Sequence, residues 1–238
     1  MDCRPVLRRL GLAGVIAAAV AATALAAACG GDGGDASGVS AQEVLSRAAQ
    51  RFASVKTFHF RLEHENGATQ IVFGLGIDTA EGDFVLPDRM SAEARGKLGP
   101  ATVSVRLVAI GDRTWVTNPF SRQFERAPGS VLDIIDPAAL VAAVARSLRD
   151  AKVEGSDSVD GVRAYRVKGS MRTDDLAEGL SFGEPGRTVE VEVWVGRDDS
   201  LIRRARLKGP MAAGEADNIV RQLSLSRYDA PVTIEEPR

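Results

Sequence analysis

Two periods of apolar residues alternate along the chain. From Ser40 to Ser54 they recur every three or four positions, with Val44, Leu45, Ala48, Ala49 and Phe52 in one stripe, the spacing of an amphipathic helix. Ser40 and Glu43 frame its start as a capping box, each side chain meeting a free backbone N–H of the first turn. The period then drops to two. In Thr57–Glu65, Phe58, Phe60 and Leu62 alternate with His59, Arg61 and Glu63, so a strand here has one apolar and one wet face. Weaker strands are predicted over Gln70–Asp78 and Arg89–Lys97. Ala101–Ile110 alternates again, setting Val103, Val105 and Leu107 against Thr102, Ser104 and Arg106. Gly111-Asp112 supplies a tight turn, and Arg113–Thr117 returns.

The middle of the chain breaks this rhythm. Ser130–Asp136 is apolar at Val131, Leu132, Ile134 and Ile135. Asp136 caps a second helix whose first position is Pro137, where a missing N–H costs nothing. Leu140, Val141, Val144 and Leu148 form its stripe. Strands resume at Val153–Val159 and Val162–Lys168 around Asp160-Gly161, and a short helix is expected over Thr173–Gly179. In Thr188–Gly196 the valines 189, 191, 193 and 195 take one face while Glu190, Glu192 and Trp194 take the other. Leu201–Lys208 answers it. A three-residue loop sets Val191 opposite Leu207, Val193 opposite Ala205, Glu192 opposite Arg206 and Trp194 opposite Arg204. Opposite charges and a cation–π pair each favour that register by a few tenths to about 1 kcal/mol. Ile219–Tyr228 closes the sheet, and Pro231–Arg238 follows as an edge strand or tail.

The sum is about ten antiparallel strands with three or four helices, an α+β chain on one large antiparallel sheet. One face is regularly polar, so the sheet is solvated outside and covered inside. A sheet of this size must curve. The helices at 40–54 and 130–149 are the obvious cover for its concave side, and that supply is thin enough to make a cavity plausible. The pattern alone leaves open whether Phe58, Phe60, Leu62, Val105, Leu107, Val131, Leu132, Ile135, Leu140 and Val144 fill a core or line a void, and it slightly favours the core.

Ahead of these elements the pattern is of another kind. Arg4, Arg8 and Arg9 precede an uncharged run from Leu10 to Ala28, and Ala26, Ala27 and Ala28 lead into Cys29 and Gly30. A basic start, a short apolar run and small residues before a cut mark a secretory signal. A cysteine at that place is the acceptor pattern of a bacterial lipoprotein, with Leu25 one position further out than usual. Residues 1–28 are therefore expected to leave as a signal peptide, and Cys29 to carry a palmitate-type diacyl anchor. Residues 29–39 then form the lipidated tether of a domain spanning 40–238. An uncleaved anchor or a released soluble protein are the alternatives, and all three place the domain beyond the cytoplasmic membrane, on its extracytoplasmic face. The Gly-rich tether lets it wander on the order of 15 Å from the bilayer.

Composition narrows the chemistry. The cysteines are Cys3 and Cys29, so the mature domain has no disulfide and no thiol nucleophile. Losing residues 1–28 moves the formal charge from −2 to −4, and without a basic cluster this argues against nucleic acid as a partner. His59 and His64 are an odd number of positions apart on one strand and point to opposite faces, so they share no metal. No nucleophile elbow, phosphate loop, zinc pattern or EF-hand loop occurs. No catalytic residue, metal ligand or cofactor is assigned, and an enzyme is not expected.

Several pieces in order carry a resemblance. They are Cys29 with its tether; Val55-Lys56-Thr57-Phe58-His59-Phe60; Val159-Asp160-Gly161-Val162-Arg163-Ala164-Tyr165-Arg166-Val167; Val193-Trp194-Val195; and Leu223-Ser224-Leu225-Ser226 with Tyr228-Asp229 and Pro231-Val232. With them the chain resembles the LppX/LprA/LprF/LprG group of bacterial envelope lipoproteins across nearly the whole mature domain. The resemblance implies a half-barrel sheet with helices on its concave side, similar to the periplasmic lipoprotein carrier and its outer-membrane receptor. It further implies a cavity for acylated lipids or glycolipids, which the chain would carry or present, and it allows a membrane exporter as partner. The residues then expected to line the cavity are Phe58, Phe60, Leu62, Val103, Val105, Leu107, Val131, Leu132, Ile135, Leu140, Val144, Val191 and Val193. The rival expectation is a periplasmic sensor or scaffold of the same architecture that binds a protein.

Overall fold

The computed structural model describes residues 38–70 and 75–238. The leader, Cys29, most of the tether and the middle of the expected Gln70–Asp78 strand lie outside the described residues. Helix α1 (Ala41–Phe52) begins at its capping residue, where Ser40 Oγ accepts the Glu43 N–H at 3.4 Å. It buries Val44, Leu45, Ala48 and Phe52.

The strands are β1 (Thr57–Glu65), β2 (Thr69–Gln70), β3 (Leu75–Val85), β4 (Arg89–Leu98), β5 (Ala101–Ile110), β6 (Arg113–Thr117) and β7 (Phe124–Arg126). A 3₁₀ turn at Val131–Asp133 and α2 (Pro137–Ser147) follow. Then come β8 (Arg149–Val159), β9 (Val162–Arg172), α3 (Thr173–Leu176), β10 (Thr188–Gly196), β11 (Ile202–Lys208) and β12 (Val220–Ser226). All belong to one open, curved antiparallel sheet of 12 strands, ordered β7-β6-β5-β4-β3-β1-β12-β11-β10-β9-β8, with β2 beside β3.

This order positions the site. Two meanders, β3–β7 and β8–β12, flank the central β1, so β7 and β8 are opposite edges of the sheet although they are consecutive in sequence. The chain between them must cross the whole sheet, and it does so on the concave face as the 3₁₀ turn and α2. Helix α1, leading straight into β1, packs beside α2, and Gln42 Nε2 donates to the Ala145 carbonyl at 2.8 Å. The core between sheet and helices is assembled from residues 39–228.

Strand pairing follows side-chain logic. In β10–β11, Val191 faces Leu207, Val193 faces Ala205, Glu192 faces Arg206 and Trp194 faces Arg204, whose guanidinium lies 5.7 Å from the indole centroid. The pieces that carried the family resemblance meet at two joints. Val193 and Val195 pair with Val167 and Tyr165. Asp229 stitches the chain end to the α1–β1 turn, accepting the Lys56 N–H at 2.8 Å and Arg51 at 3.1 Å, while Thr57 Oγ1 donates to the Ala230 carbonyl at 2.7 Å. Those bonds hold the Asp229 carboxyl below its ordinary range, the Lys56 N–H first among them.

Two expectations change, and one open alternative resolves as a tail. β3 continues to Val85, beyond the predicted Asp78, because its register shifts between Ile77 and Thr79. The inward phase passes from Ile77 to Ala80, Gly82 and Phe84, so no single alternation spans the strand. β7 is a three-residue edge strand with no pattern of its own. Pro231–Arg238 is a tail: Ile234 is buried, its carbonyl accepts from Arg89 at 2.9 Å, and Glu236 pairs with Arg113.

Candidate binding cavity

The inner positions of neighbouring strands fall in rows. β1 and β12 set Phe60 against Leu225, Leu62 against Leu223 and His64 against Arg221. The first two rows, with Phe58, Val191, Val193, Ala205 and Leu207, floor a cavity of about 200 Å³. Leu45, Ala48 and Phe52 of α1 form one wall, and Phe84 and Met90 another. Phe58 stacks on Phe84 at 5.0 Å and tilts against Phe52 at 5.5 Å, which fixes that wall.

The roof is α2, and its composition is inverted. An ordinary lid helix buries its largest apolar side chains, whereas α2 buries Ala143 and Ala145 and leaves Leu140, Val141 and Val144 half-buried toward the cavity. The start of α2 is latched. Asp136 Oδ1 accepts the N–H groups of Ala138 and Ala139. Its own N–H donates to the Gly179 carbonyl at 2.9 Å, and the Ser181 N–H donates to Ile134 at 2.9 Å, pairing Ile135 with Leu180. Gly179 is required here, because a Cβ would stand 2.4 Å from the Leu140 nitrogen.

The third row ends the apolar floor. Among the described residues, Arg221 is the one charged residue lining the cavity. It is buried, donating to Thr69 Oγ1 at 2.8 Å, to the Gly209 carbonyl at 3.2 Å and to Glu215. Thr69 Oγ1 lies 2.7 Å from His64 Nε2, whose Nδ1 is 3.0 Å from the Asp78 carbonyl. Burial pulls the His64 pKa below its ordinary 6.5, against the opposing Asp78 bond. His59, on the outer face, sits between Asp83 and Glu81 at 2.9 and 3.1 Å.

A second cavity of about 360 Å³ lies on the same face under β3–β6, with Thr117, Asn118, Glu125 and Arg126 at its rim. The expected lining divides between the two. Phe58, Phe60, Leu62, Ile135, Leu140, Val144, Val191 and Val193 line the first. Val103, Val105, Leu107 and Val131 line the second, a correction to the single cavity expected. Leu132 lines neither and packs half-buried against the core. The divider is the 131–135 segment, pinned down by Ser130 Oγ donating to Gly111 and by the Val131 N–H donating to Thr114 Oγ1. Consecutive residues Ile134 and Ile135 face opposite cavities.

Sequence reasoning missed the α1 wall, Phe84, Met90, Val141, Leu176, Leu180, Met211 and the β11–β12 floor. The β11 residues were within reach, since the register already set Ala205 and Leu207 against Val193 and Val191. Phe84 was hidden by the shift in β3, and Leu176, Leu180 and Met211 lie in short or irregular segments without a period. Among the described residues no three His, Cys, Asp or Glu side chains stand close enough to hold a metal ion, and no helix is long and apolar enough to cross a membrane.

A curved sheet roofed by helices around apolar space defines the class: a trough-and-lid container fold. The chain belongs to the LppX_LprAFG lipoprotein family, whose model matches residues 40–234. It is 25% identical over 174 residues to the lipoarabinomannan carrier protein LprG of Mycobacterium leprae, covering 70% of this chain and 71% of that one. The crystal structure of LprF from Mycobacterium bovis superposes with a TM-score of 0.63 at 16% identity, over 83% of this chain and 96% of that one. LppX of Mycobacterium tuberculosis gives 0.60 at 14%, over 82% and 98%. These two likenesses establish the fold.

Proposed function

We propose that the chain is an envelope lipoprotein, anchored through acylated Cys29 and tethered by residues 29–39, whose domain binds acylated lipids or glycolipids under α2 and carries or presents them. The observation that carries this reading is the inverted helix: three large aliphatic side chains of α2 face space while Ala143 and Ala145 are buried. A helix selected only to close a core would pack Leu140, Val141 and Val144 tightly. Membership of a lipoprotein family, and a relative named as a lipoarabinomannan carrier, support the same reading.

The mechanism is burial. Each methylene moved from water into the cavity contributes about 0.8 kcal/mol, so one long acyl chain gains roughly 10 kcal/mol before ordering costs. The cavity is smaller than the several hundred Å³ or more typical of ligand sites, about 300–1,000 Å³, so α2 must rise as cargo enters. A polar head stays outside, since the floor offers it only the Arg221 end.

Native mass spectrometry with solvent extraction, on a soluble chain beginning at Gly30, tests this. Co-purified acyl lipid that is lost in Val144→Arg, with the melting temperature largely kept, is the expected result. A folded chain that carries no lipid and takes up none when it is supplied sinks the carrier and favours a protein-binding scaffold. Release of a diacylglyceryl-cysteine peptide from the full-length protein tests the anchor separately.

A further inference from the structure

Among the described residues the large apolar side chains are all at least partly covered, except one. Phe120, at the tip of the β6–β7 hairpin, is 81% exposed. A single exposed apolar residue ordinarily means little, but this one is held out. Asn118 Oδ1 accepts the N–H groups of Phe120 and Ser121 at 2.9 and 3.1 Å. The Asn118 backbone closes the loop, its N–H donating to Gln123 and its carbonyl accepting from Arg122, each at 2.9 Å. These bonds fix the loop backbone that presents the ring away from the sheet.

The surroundings of Phe120 point to what it meets. Arg122 and Arg126 are exposed and make no ion pair among the described residues, while the nearby Glu125 carboxylate is engaged by Asn118 at 3.0 Å. Two further aromatics of the hairpin carry guanidiniums on their faces: Arg113 lies 5.2 Å from Trp115, and Arg106 lies 5.2 Å from Phe124. A bare aromatic apex above aromatic–arginine pairs, basic at its tip in a domain whose residues 40–238 carry a formal charge of −2, is the chemistry of a headgroup layer. Aromatic rings settle at the membrane–water boundary, and guanidiniums take phosphates in paired hydrogen bonds. A protein-binding hot spot would instead be a flat, well-packed patch with aromatic anchors at its centre.

We infer that the β6–β7 hairpin is a membrane-contact site, inserting Phe120 into an anionic phospholipid surface while Arg122 and Arg126 bind its phosphates. Asn118, Pro119, Glu125 and Arg126 of this hairpin also rim the second cavity. Contact at Phe120 therefore brings the mouth of that cavity to the bilayer. The site goes beyond cargo binding and stands whether or not the cavities hold lipid.

Vesicle co-sedimentation of the soluble chain from Gly30 tests it, using phosphatidylcholine vesicles with and without phosphatidylglycerol. The unaltered chain is expected to prefer the anionic vesicles and to be released by salt. Phe120→Ser weakens binding about tenfold or more, and Arg122→Gln with Arg126→Gln erases the preference for phosphatidylglycerol. Phe120 and Arg122 are exposed and line neither cavity, so Phe120→Ser and Arg122→Gln alone leave melting temperature and lipid extraction unchanged, which separates failure here from failure of the carrier reading. Phe120→Trp gives a direct readout, a blue-shifted emission when anionic vesicles are added. Equal sedimentation of Phe120→Ser and the unaltered chain overturns the proposal. So does a chain that ignores both vesicles yet loses a cross-linked protein partner when Phe120 is changed.

Discussion

At the scale of single residues, the polar end of the cavity floor is governed by one directed chain of hydrogen bonds. The Asp78 carbonyl can only accept, so His64 carries its proton on Nδ1 and Nε2 must accept from the Thr69 hydroxyl. The Thr69 oxygen, its proton committed to His64, accepts from Arg221 Nε. Protonating Nε2 reverses the hydroxyl, strands its bond and adds a second cation facing Arg221. Burial, the largest cause, already holds the folded-state pKa of His64 below 6.5. The unfolded chain then binds more protons than the native one at mildly acidic pH. Stability is thus full above about pH 6.5 and declines as pH falls through that value toward the lower folded-state pKa. Thermal melts across pH 5 to 8 should show this slope, and His64→Gln should flatten it. A slope unchanged in His64→Gln would place the acid sensitivity elsewhere.

Elements were legible where one period ran unbroken. β1, β5, β6 and β10 begin and end where alternation predicts, and α1 and α2 start at the caps formed by Ser40 and Asp136. The two cavities were not legible, because the 131–135 segment reads as one apolar run. Only its hydrogen bonds to Gly111 and Thr114 show that it dips onto the sheet and parts the space. The latch at Gly179 was invisible for a similar reason: it joins segments 45 residues apart through backbone atoms that no side-chain pattern records. The latch is testable. Ile135 and Leu180 form a non-hydrogen-bonded antiparallel pair, a geometry with Cα atoms about 4.5 Å apart, within disulfide reach. The chain from Gly30 has no other cysteine. Ile135→Cys with Leu180→Cys should stop exchange of labelled acyl lipid when oxidised and restore it on reduction. Equal exchange in both states would mean that cargo enters without unlatching the start of α2.

For the molecule as a whole, the sheet order is the controlling fact. It could not be read from strand periodicity, since alternation tells which face a residue takes but not which strands are edges. With β7 and β8 at opposite rims, the segment between them is tied to both. Its length, and not only its hydrophobicity, therefore sets how far α2 can rise. Inserting Gly-Ser between Pro128 and Gly129, away from the Ser130 and Val131 contacts, should speed lipid exchange while leaving equilibrium affinity nearly unchanged. Loss of affinity with no gain in rate would show that the segment is not the limiting tie.

A cover fixed along one side swings open like a door and exposes everything beneath it. The α2 segment is fixed at both ends, so it behaves as the handle of a bucket. It lifts or sinks but never clears the opening. Whatever enters must slide in lengthwise under the handle, tail first, and leave the same way, which favours slender chains over bulky rings before any contact with the floor is made.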